Sequence, residues 1–125
     1  MAQAKATLSN YRQSPRKVRI VADMMRGKRV EDAIITLSFV PKRSAEPLKK
    51  LLESAVANAK NLSIPLENLV VKTIGVDGGK ILYRRLPMSR GRAFVMRKRT
   101  SHVNIVLEEV APKVKKSKKT TPKTK

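Results

Sequence analysis

The fold is decided by one stretch of the chain, Gly78 to Leu107, which reads GGKILYRRLPMSRGRAFVMRKRTSHVNIVL. Near its end every second residue is apolar, as on the buried face of a strand, namely Val103, Ile105 and Leu107. A run rich in β-branched residues, Leu69 to Val76, precedes the stretch and predicts a second strand. If the two strands pair antiparallel, the polar segment between them, Lys80 to Ser101, forms a long β-ribbon that turns near Met88 to Gly91.

The ribbon is strongly cationic, and no acidic residue occurs between Gly78 and Leu107. Its eight cationic side chains are Lys80, Arg84, Arg85, Arg90, Arg92, Arg97, Lys98 and Arg99. An isolated two-stranded ribbon is marginally stable in water, and repulsion between like charges adds to the cost. Arginine predominates here, and its guanidinium binds phosphate bidentately and stacks on bases. We predict that the ribbon functions among the phosphates of a nucleic acid, because a face exposed only to solvent normally mixes both signs of charge.

The composition of the whole chain indicates the same kind of partner. Its 125 residues are enough for one domain with a modest core. They include 29 Lys and Arg against 9 Asp and Glu, a formal net charge of +20, so a polyanion is the expected partner. With two Tyr, two Phe and no Trp, the chain is poor in aromatic platforms for single-stranded bases, and contacts to the nucleic-acid backbone are expected to dominate.

The residues after Val110 have a different composition. Seven of the last fourteen residues are lysine and none is aromatic or acidic, so we predict a disordered, Lys-rich tail over residues 111–125. Without this tail the chain still holds 22 basic against 9 acidic residues, a net charge of +13. The basic character therefore belongs also to the predicted globular domain, residues 1–110, which includes an extended hairpin at about residues 78–102.

The first predicted helix spans about residues 15–26. Pro15 after Ser14 is typical of a capped helix start, and Gly27 after a cationic last turn is typical of a helix stop. Apolar residues at helical spacing give this helix a core face of Val18, Val21, Ala22 and Met25. A separate stripe is mostly cationic and is predicted to be a second phosphate contact; its basic members are Arg16, Arg19 and Arg26.

Two more helices and a further strand are predicted from similar patterns. A short second helix begins at Val30 and is ended by the residue before Pro41. A third begins after Ser44, which can serve as its N-cap, and ends near Asn61; its apolar stripe is the strongest helical signal in the chain. A weaker strand, about Thr7 to Tyr11, precedes the first helix.

The chain lacks the residues of common catalytic and metal sites. It has no cysteine, and its one histidine, His102, cannot form a histidine metal cluster; we expect it to pack or to contact phosphate. Neither GxGxxG nor GxxxxGK[ST] occurs, and Glu108 and Glu109 are adjacent, so in a strand they point to opposite faces. We therefore predict no catalytic residue, no metal site and no cofactor. No apolar run exceeds four residues, so no membrane span is predicted.

Five ordered motifs carry a resemblance to a known family. They are SPRKVRIVADMMRG (Ser14 to Gly27), LLESAVANA (Leu51 to Ala59), VDGG (Val76 to Gly79), RRLPMSRGRA (Arg84 to Ala93) and KRTSH (Lys98 to His102). Through these motifs the sequence resembles the bacterial large-subunit ribosomal protein L twenty-two family over about residues 4–110.

The resemblance implies an α+β fold in which three helices pack on a small antiparallel sheet and a long β-hairpin protrudes. It implies a structural constituent of the large ribosomal subunit, in the cytoplasm, that binds 23S rRNA, contacts neighbouring ribosomal proteins and aids early assembly. In this family the globular part lies near the exit of the peptide tunnel, and the hairpin lines the tunnel wall, where macrolide antibiotics act nearby. The nascent peptide at the constriction is then a partner, whereas a membrane and a second copy of the chain are not.

The charge pattern and the resemblance together give the candidate site residues. Those expected to bind rRNA are Arg12, Arg16, Lys17, Arg19, Arg26, Lys80, Arg84, Arg85, Arg90, Arg92, Arg97, Lys98, Arg99 and His102. Those expected at the hairpin tip, facing the tunnel, are Met88, Ser89, Arg90, Gly91, Arg92 and Ala93.

One alternative function comes from another class, a nucleoid-type architectural DNA-binding protein. In such a protein a basic β-arm, here carrying Pro87, inserts into the minor groove. These arms usually work in pairs within a dimer. No dimer seam is evident in the sequence, because a domain this small needs the apolar stripes of all three helices for its own core.

Overall fold

A computed structural model describes residues 2–111 of the chain. The strands are β1 (Gln3–Tyr11), β2 (Leu69–Gly78), β3 (Leu82–Pro87), β4 (Ala93–Lys98) and β5 (Ser101–Glu109). The helices are α1 (Pro15–Met25), α2 (Val30–Phe39) and α3 (Ala45–Asn61), and single 3-10 turns lie at Leu66–Asn68 and Ser89–Gly91. The predicted α+β class is confirmed. The predicted Lys-rich tail, apart from Ala111, lies outside the described residues.

The main sheet is antiparallel and has the strand order β1-β5-β2, so the last strand along the chain lies in its centre. The predicted antiparallel pairing of the two strong strands is confirmed as β2 with β5. On β5 the residues predicted to face the core are at most 1% exposed, namely Val103, Ile105 and Leu107. The sheet therefore buries the face that the period-two pattern indicated.

The three helices share one hydrophobic core with this sheet. Helix α1 packs on β2, α3 packs on β1, and α2 packs against α3. The predicted core face of α1 is confirmed, since each of its residues is at most 1% exposed: Val18, Val21, Ala22 and Met25. Two small side chains of α3, Ala55 and Ala59, are fully buried and let the helix approach β1 closely. There Asn58 Nδ2 donates a hydrogen bond of 2.8 Å to the carbonyl of Lys5.

Strand β1 is longer than predicted. The sequence predicted a strand from Thr7 to Tyr11, whereas β1 already begins at Gln3. Its first half alternates buried Ala4 and Ala6 with exposed polar residues, and it lies against α3. Alanine has a low strand propensity, so an alternation that uses it as the apolar residue gives a weak signal in the sequence.

The two serines predicted as N-caps, Ser14 and Ser44, do precede the first residues of α1 and α3, but their side chains do not cap these helices. Neither Ser14 nor Ser44 makes a side-chain hydrogen bond to the first turn of its helix. At Ser44 the backbone is already helical (φ −75°, ψ −12°), whereas a capping residue normally has an extended conformation. The start of α1 instead has the carbonyl of Ser14 accepting the N–H groups of Lys17 and Val18, at 3.1 and 3.2 Å.

The predicted ribbon forms a hairpin of its own. Within the described residues β3 and β4 pair with each other and with no other strand, in the register Arg84↔Met96 and Leu86↔Phe94. The chain turns at Ser89–Gly91, where Arg90 has φ +60° and Gly91 has φ +68°. This turn agrees with the one predicted near Met88 to Gly91.

Candidate nucleic-acid interface

Both faces of the hairpin are open, and each carries cations beside apolar side chains. Residues directly opposite one another in an antiparallel pair share a face. One face consists of Leu82, Arg84, Leu86, Phe94, Met96 and Lys98. The other consists of Tyr83, Arg85, Pro87, Ala93, Val95 and Arg97. The apolar side chains between the cations can contact bases and sugars while the cations contact phosphates, so each face suits a nucleic acid.

An open groove of about 830 Å³ lies at the base of the hairpin. It is lined by the connection between β1 and α1, the connection between α2 and α3, and the base of the hairpin itself. Its seven cationic side chains are Arg12, Lys17, Arg43, Arg84, Arg97, Lys98 and Arg99. No acidic side chain from residues 2–111 lines the groove. A concave surface with charge of one sign concentrates the positive potential, which attracts a polyanion.

The connection between β1 and α1 is held against the start of β5. The pairing of β1 with β5 shifts register just before Tyr11, and there the N–H of Asn10, at φ +54°, donates to Nδ1 of His102 at 3.0 Å. The Tyr11 hydroxyl donates to Oε1 of Gln13 at 2.9 Å. Burial raises the pKa of Tyr11 and the charge of Arg43 partly lowers it, so Arg43 acts on this connection through space. Packing thus brings three distant parts of the chain to one groove.

The hairpin leaves the main sheet at a tight junction. The N–H of Gly79 donates to the carbonyl of Thr100 at 2.9 Å, and Oγ1 of Thr100 donates to the carbonyl of Lys80 at 2.5 Å. A Cβ atom on Gly79 would lie 2.5 Å from Oγ1 of Thr100 and 3.0 Å from Nε2 of His102. Only glycine allows this close approach, and the junction sets the direction in which the hairpin leaves the domain.

His102 is half-buried and has a partner within the chain. Because its Nδ1 accepts the N–H of Asn10, a neutral imidazole carries its proton on Nε2. The predicted contact of His102 with rRNA remains a prediction, and Nε2 is the ring atom left to make it.

Two arginines of the cationic stripe on α1 bind the protein's own backbone. Arg19 donates from Nε and Nη2 to the carbonyl of Val76, at 3.2 and 3.0 Å. Arg26 donates to the carbonyl of Ile74 at 3.0 Å and pairs with Asp23 at 3.2 Å. Both carbonyls belong to β2, which is an edge strand, so the two arginines cover an edge that could otherwise pair with another chain. Their contacts with rRNA remain predictions. Such contacts are compatible with the bonds to β2, because a guanidinium has five N–H donors and these bonds use at most two of them.

The structure brings some of the predicted residues together and separates others. Arg16 and Arg19 line a second open cavity of about 460 Å³ together with Arg99. Lys80 is exposed beside the junction, and Arg85 is exposed further along the hairpin; neither of them lines the groove. Tip residues 88–92, including Arg90 and Arg92, lie beyond β3 and β4 at the other end of the hairpin, Ala93 is the first residue of β4, and none of residues 88–93 is buried.

Sequence reasoning missed two cations of this surface, Lys42 and Arg43. They lie between α2 and α3 and line a cavity of about 190 Å³ beside the groove, and Arg43 also lines the groove itself. In the sequence they are two basic residues after Pro41, and no spacing links them to the hairpin. The available signal is their place immediately before a helix, because the N-terminal end of a helix attracts anions.

Two findings bear on other kinds of site. Among residues 2–111 no helix is long and apolar enough to cross a membrane. The same residues contain no group of three or more His, Asp or Glu side chains that could hold a metal ion.

Comparison with known proteins places this surface in a family context. The family described as Ribosomal protein L22p/L17e matches residues 6–108 of the chain. A protein named large ribosomal subunit protein uL22 from Trichlorobacter lovleyi is 51% identical over 108 residues, which cover 86% of this chain and 96% of the relative. The protein of the same name from Bdellovibrio bacteriovorus is 49% identical over 108 residues, covering 86% of this chain and 98% of the relative. That from Desulfitobacterium hafniense is 51% identical over 110 residues, covering 87% and 96%.

Proposed function

This chain belongs to the L22p/L17e family of ribosomal proteins, and from that premise we propose that its cationic groove and hairpin are the surfaces that bind 23S rRNA. The chain is a structural constituent of the large ribosomal subunit and an rRNA-binding protein of the cytoplasmic ribosome. The family is one of ribosomal proteins and not a class of enzymes, and the proposed role needs no catalytic step. Neither the family nor the relatives support the alternative of an architectural DNA-binding protein.

The observation that carries the proposal is the groove at the base of the hairpin. Seven cations from three separate parts of the chain converge there without an acidic neighbour among the described residues. Such convergence raises the electrostatic free energy of the isolated protein, and phosphates that neutralise the cations and release counterions offset it. The groove then fixes the RNA backbone, and the open faces of the hairpin contact the RNA on both sides.

We extend the proposal to the hairpin tip, Met88 to Ala93, which would line the wall of the nascent-peptide tunnel. The tip is exposed and lies beyond two six-residue strands, each about 20 Å long at 3.3 Å per residue. A segment that packs on no part of its own core is free to pass through RNA and to meet the nascent peptide. Further parts of the proposal are contacts with neighbouring ribosomal proteins, a role in early subunit assembly, and a monomeric chain.

The test of rRNA binding is the salt dependence of affinity. Replacing Arg84, Arg85, Arg97 and Arg99 together by alanine should flatten the log–log slope of affinity for a 23S rRNA fragment by roughly 2 to 4 units. Each phosphate contact contributes about 0.7 to 0.9 to that slope. The slope is measured by filter binding or fluorescence anisotropy over a series of potassium chloride concentrations.

A matched control removes the same charge elsewhere. Lys5, Lys28, Lys49 and Lys60 are not buried and none of them lines the groove, so replacing these four by alanine should leave the slope nearly unchanged. If both variants lowered the slope equally, binding would depend on net charge alone, and the groove and hairpin would not be the interface.

A further inference from the structure

The start of α3 holds a small cavity that the groove does not account for. The cavity has a volume of about 190 Å³ and adjoins the groove, because Gln13, Lys17 and Arg43 line both. Its remaining lining residues are Ile20, Lys42 and Ser44. Three of these six side chains are cationic, and none is acidic. The volume is several times the roughly 30 Å³ that one water molecule occupies in the liquid, so the cavity has room for a small anion.

The hydroxyl of Ser44, one of the residues that line this cavity, has no hydrogen-bond partner among the described residues. The residue is only 1% exposed. Ser44 precedes the first residue of α3 and its carbonyl accepts the N–H of Leu48 at 3.2 Å, but its hydroxyl makes no bond to the first turn. A buried hydroxyl without a partner is unfavourable, and native proteins usually satisfy such groups with a protein, water or ligand atom. The hydroxyl can therefore donate to an anion in the cavity.

The end of the helix adds to the attraction. Helix α3 has 17 residues, and the positive end of its dipole lies at its first turn. In that turn the N–H groups of Ala45 and Leu48 bond to the carbonyls of Lys42 and Ser44, at 3.1 and 3.2 Å, so the dipole rather than a set of free N–H groups supplies the attraction. The first turn also contains an acidic residue, Glu46, but its carboxylate is paired with Lys50 at 3.3 Å. This pairing reduces the repulsion that Glu46 would exert on an anion.

We propose that this cavity is a phosphate subsite of the rRNA interface, holding one backbone phosphate between Lys17, Lys42 and Arg43 while the hydroxyl of Ser44 donates to a phosphate oxygen. The inference rests on the proposed function, because the phosphate is taken to be a phosphodiester of the large-subunit rRNA. Free inorganic phosphate has the same recognition chemistry, and the experiment separates the two sources. With this subsite, the RNA backbone is fixed to α3 as well as to the hairpin.

The first test replaces Ser44 by alanine in the full chain. Affinity for a 23S rRNA fragment should fall about tenfold, because a hydrogen bond to a charged oxygen is lost. The salt slope should not change, since a hydroxyl carries no charge, and the thermal midpoint should not fall, since no bond within the protein is lost. Ser54→Ala, an exposed serine on the same helix, is the control and should change neither quantity. A lower thermal midpoint with unchanged affinity would identify Ser44 as a purely structural residue and overturn the proposal.

The second test concerns the charges. Lys42→Ala and Arg43→Ala should each flatten the salt slope by about 0.7 to 0.9, whereas Lys60→Ala, at an exposed lysine near the other end of α3, should not. The comparison is the hairpin variant, in which Arg84, Arg85, Arg97 and Arg99 are all replaced by alanine. If the hairpin variant flattens the slope and the substitutions at Lys42 and Arg43 do not, the proposed subsite is wrong while the proposed function stands. If the hairpin variant also has no effect, both are wrong. In nuclear magnetic resonance titrations, the amide of Ser44 should shift with the rRNA fragment. A shift with inorganic phosphate alone, and none with RNA, would identify a free-anion site and overturn the proposal.

Discussion

Gly79 lies at the junction where the chain leaves the main sheet and enters the hairpin. Its N–H is bonded to Thr100, and the space where a side chain would begin is already occupied by Thr100 and His102. Because Thr100 is buried and its hydroxyl is bonded to the carbonyl of Lys80, it cannot move aside without breaking that bond. The requirement for glycine at this position therefore comes from crowding and not from an unusual backbone angle.

Gly79→Ala should destabilise the protein by about 1 to 3 kcal/mol, the usual cost of forcing extra atoms into a packed site. The free energy of unfolding is measured by urea denaturation of the full chain. Gly75→Ala is the control, because a Cβ atom on Gly75 in β2 would meet no atom within 4 Å. We expect that control to stay within about 0.5 kcal/mol of the parent. Equal stability of the two variants would show that the junction is not crowded.

At the scale of elements, α1 protects the open edge of β2. Helix α1 and the residues after it contact that edge: Arg19 bonds to Val76, Arg26 bonds to Ile74, and two backbone bonds of 3.0 Å join Gly27 and Lys28 to Val71. Edge strands expose rows of unpaired backbone groups that promote association between chains. In this protein α1 and the residues after it, including two arginine side chains, bond to the backbone groups on the open edge of β2, which a further strand would otherwise pair with.

Arg19→Met should lower the free energy of unfolding by about 0.5 to 1.5 kcal/mol, the typical contribution of a hydrogen bond. Arg16→Met removes the same charge from the same helix, and no hydrogen bond from Arg16 occurs within the described residues, so it should cost less than about 0.5 kcal/mol. Urea denaturation of both variants gives the comparison. If Arg16→Met were as destabilising as Arg19→Met, the bond to Val76 would not contribute to the stability of the fold.

The sequence predicted best those helices and strands in which the spacing of apolar residues matches the face that is buried in the fold. Helix α1 and strand β5 bury the residues that their spacing indicated. The first half of β1 was missed because Ala4 and Ala6 mark its buried face with small residues that also suit helices. The roles of Arg19, Arg43 and Gly79 could not be predicted, because each depends on a contact with an element distant in sequence. Net charge and the acid-free ribbon predicted the kind of partner, whereas the groove itself required the fold.

At the scale of the whole molecule, charge is separated along β5. The strand begins at the base of the cationic hairpin and ends at Glu108 and Glu109. At that far end Lys72, the extra residue of a bulge in β2, donates to Glu108 at 2.8 Å, and this hydrogen bond lowers the pKa of Glu108 although partial burial opposes it. These two glutamates are thus at the end of β5 that lies away from the groove and the hairpin. A charge distribution of this kind orients the protein so that the hairpin approaches a polyanion first.

The hairpin tip can be removed without disturbing the core. From Gly79 to Arg90 the arm has twelve residues, and its eleven steps of about 3.3 Å reach roughly 35 Å, against a radius of gyration of about 13 Å for a 100-residue domain. The hydrophobic core includes no residue of the tip, and Arg85 faces Val95 in register. Deleting Met88 to Phe94, with Leu86→Asn and Pro87→Gly to supply a two-residue turn, therefore shortens the hairpin and keeps its register.

The shortened protein should fold and enter large subunits nearly as well as the parent, because the core and all seven groove cations remain. The change should appear in the tunnel: ribosomes carrying it should respond differently to a macrolide in cell-free translation, or stall differently on an arrest-prone nascent peptide. A full-length hairpin with Arg90→Gly, which keeps the turn conformation, is the control for loss of one tip charge. Failure of the shortened protein to fold would contradict the separation of tip from core. Normal assembly combined with an unchanged response to both drug and arrest peptide would contradict the proposal that the tip lines the tunnel.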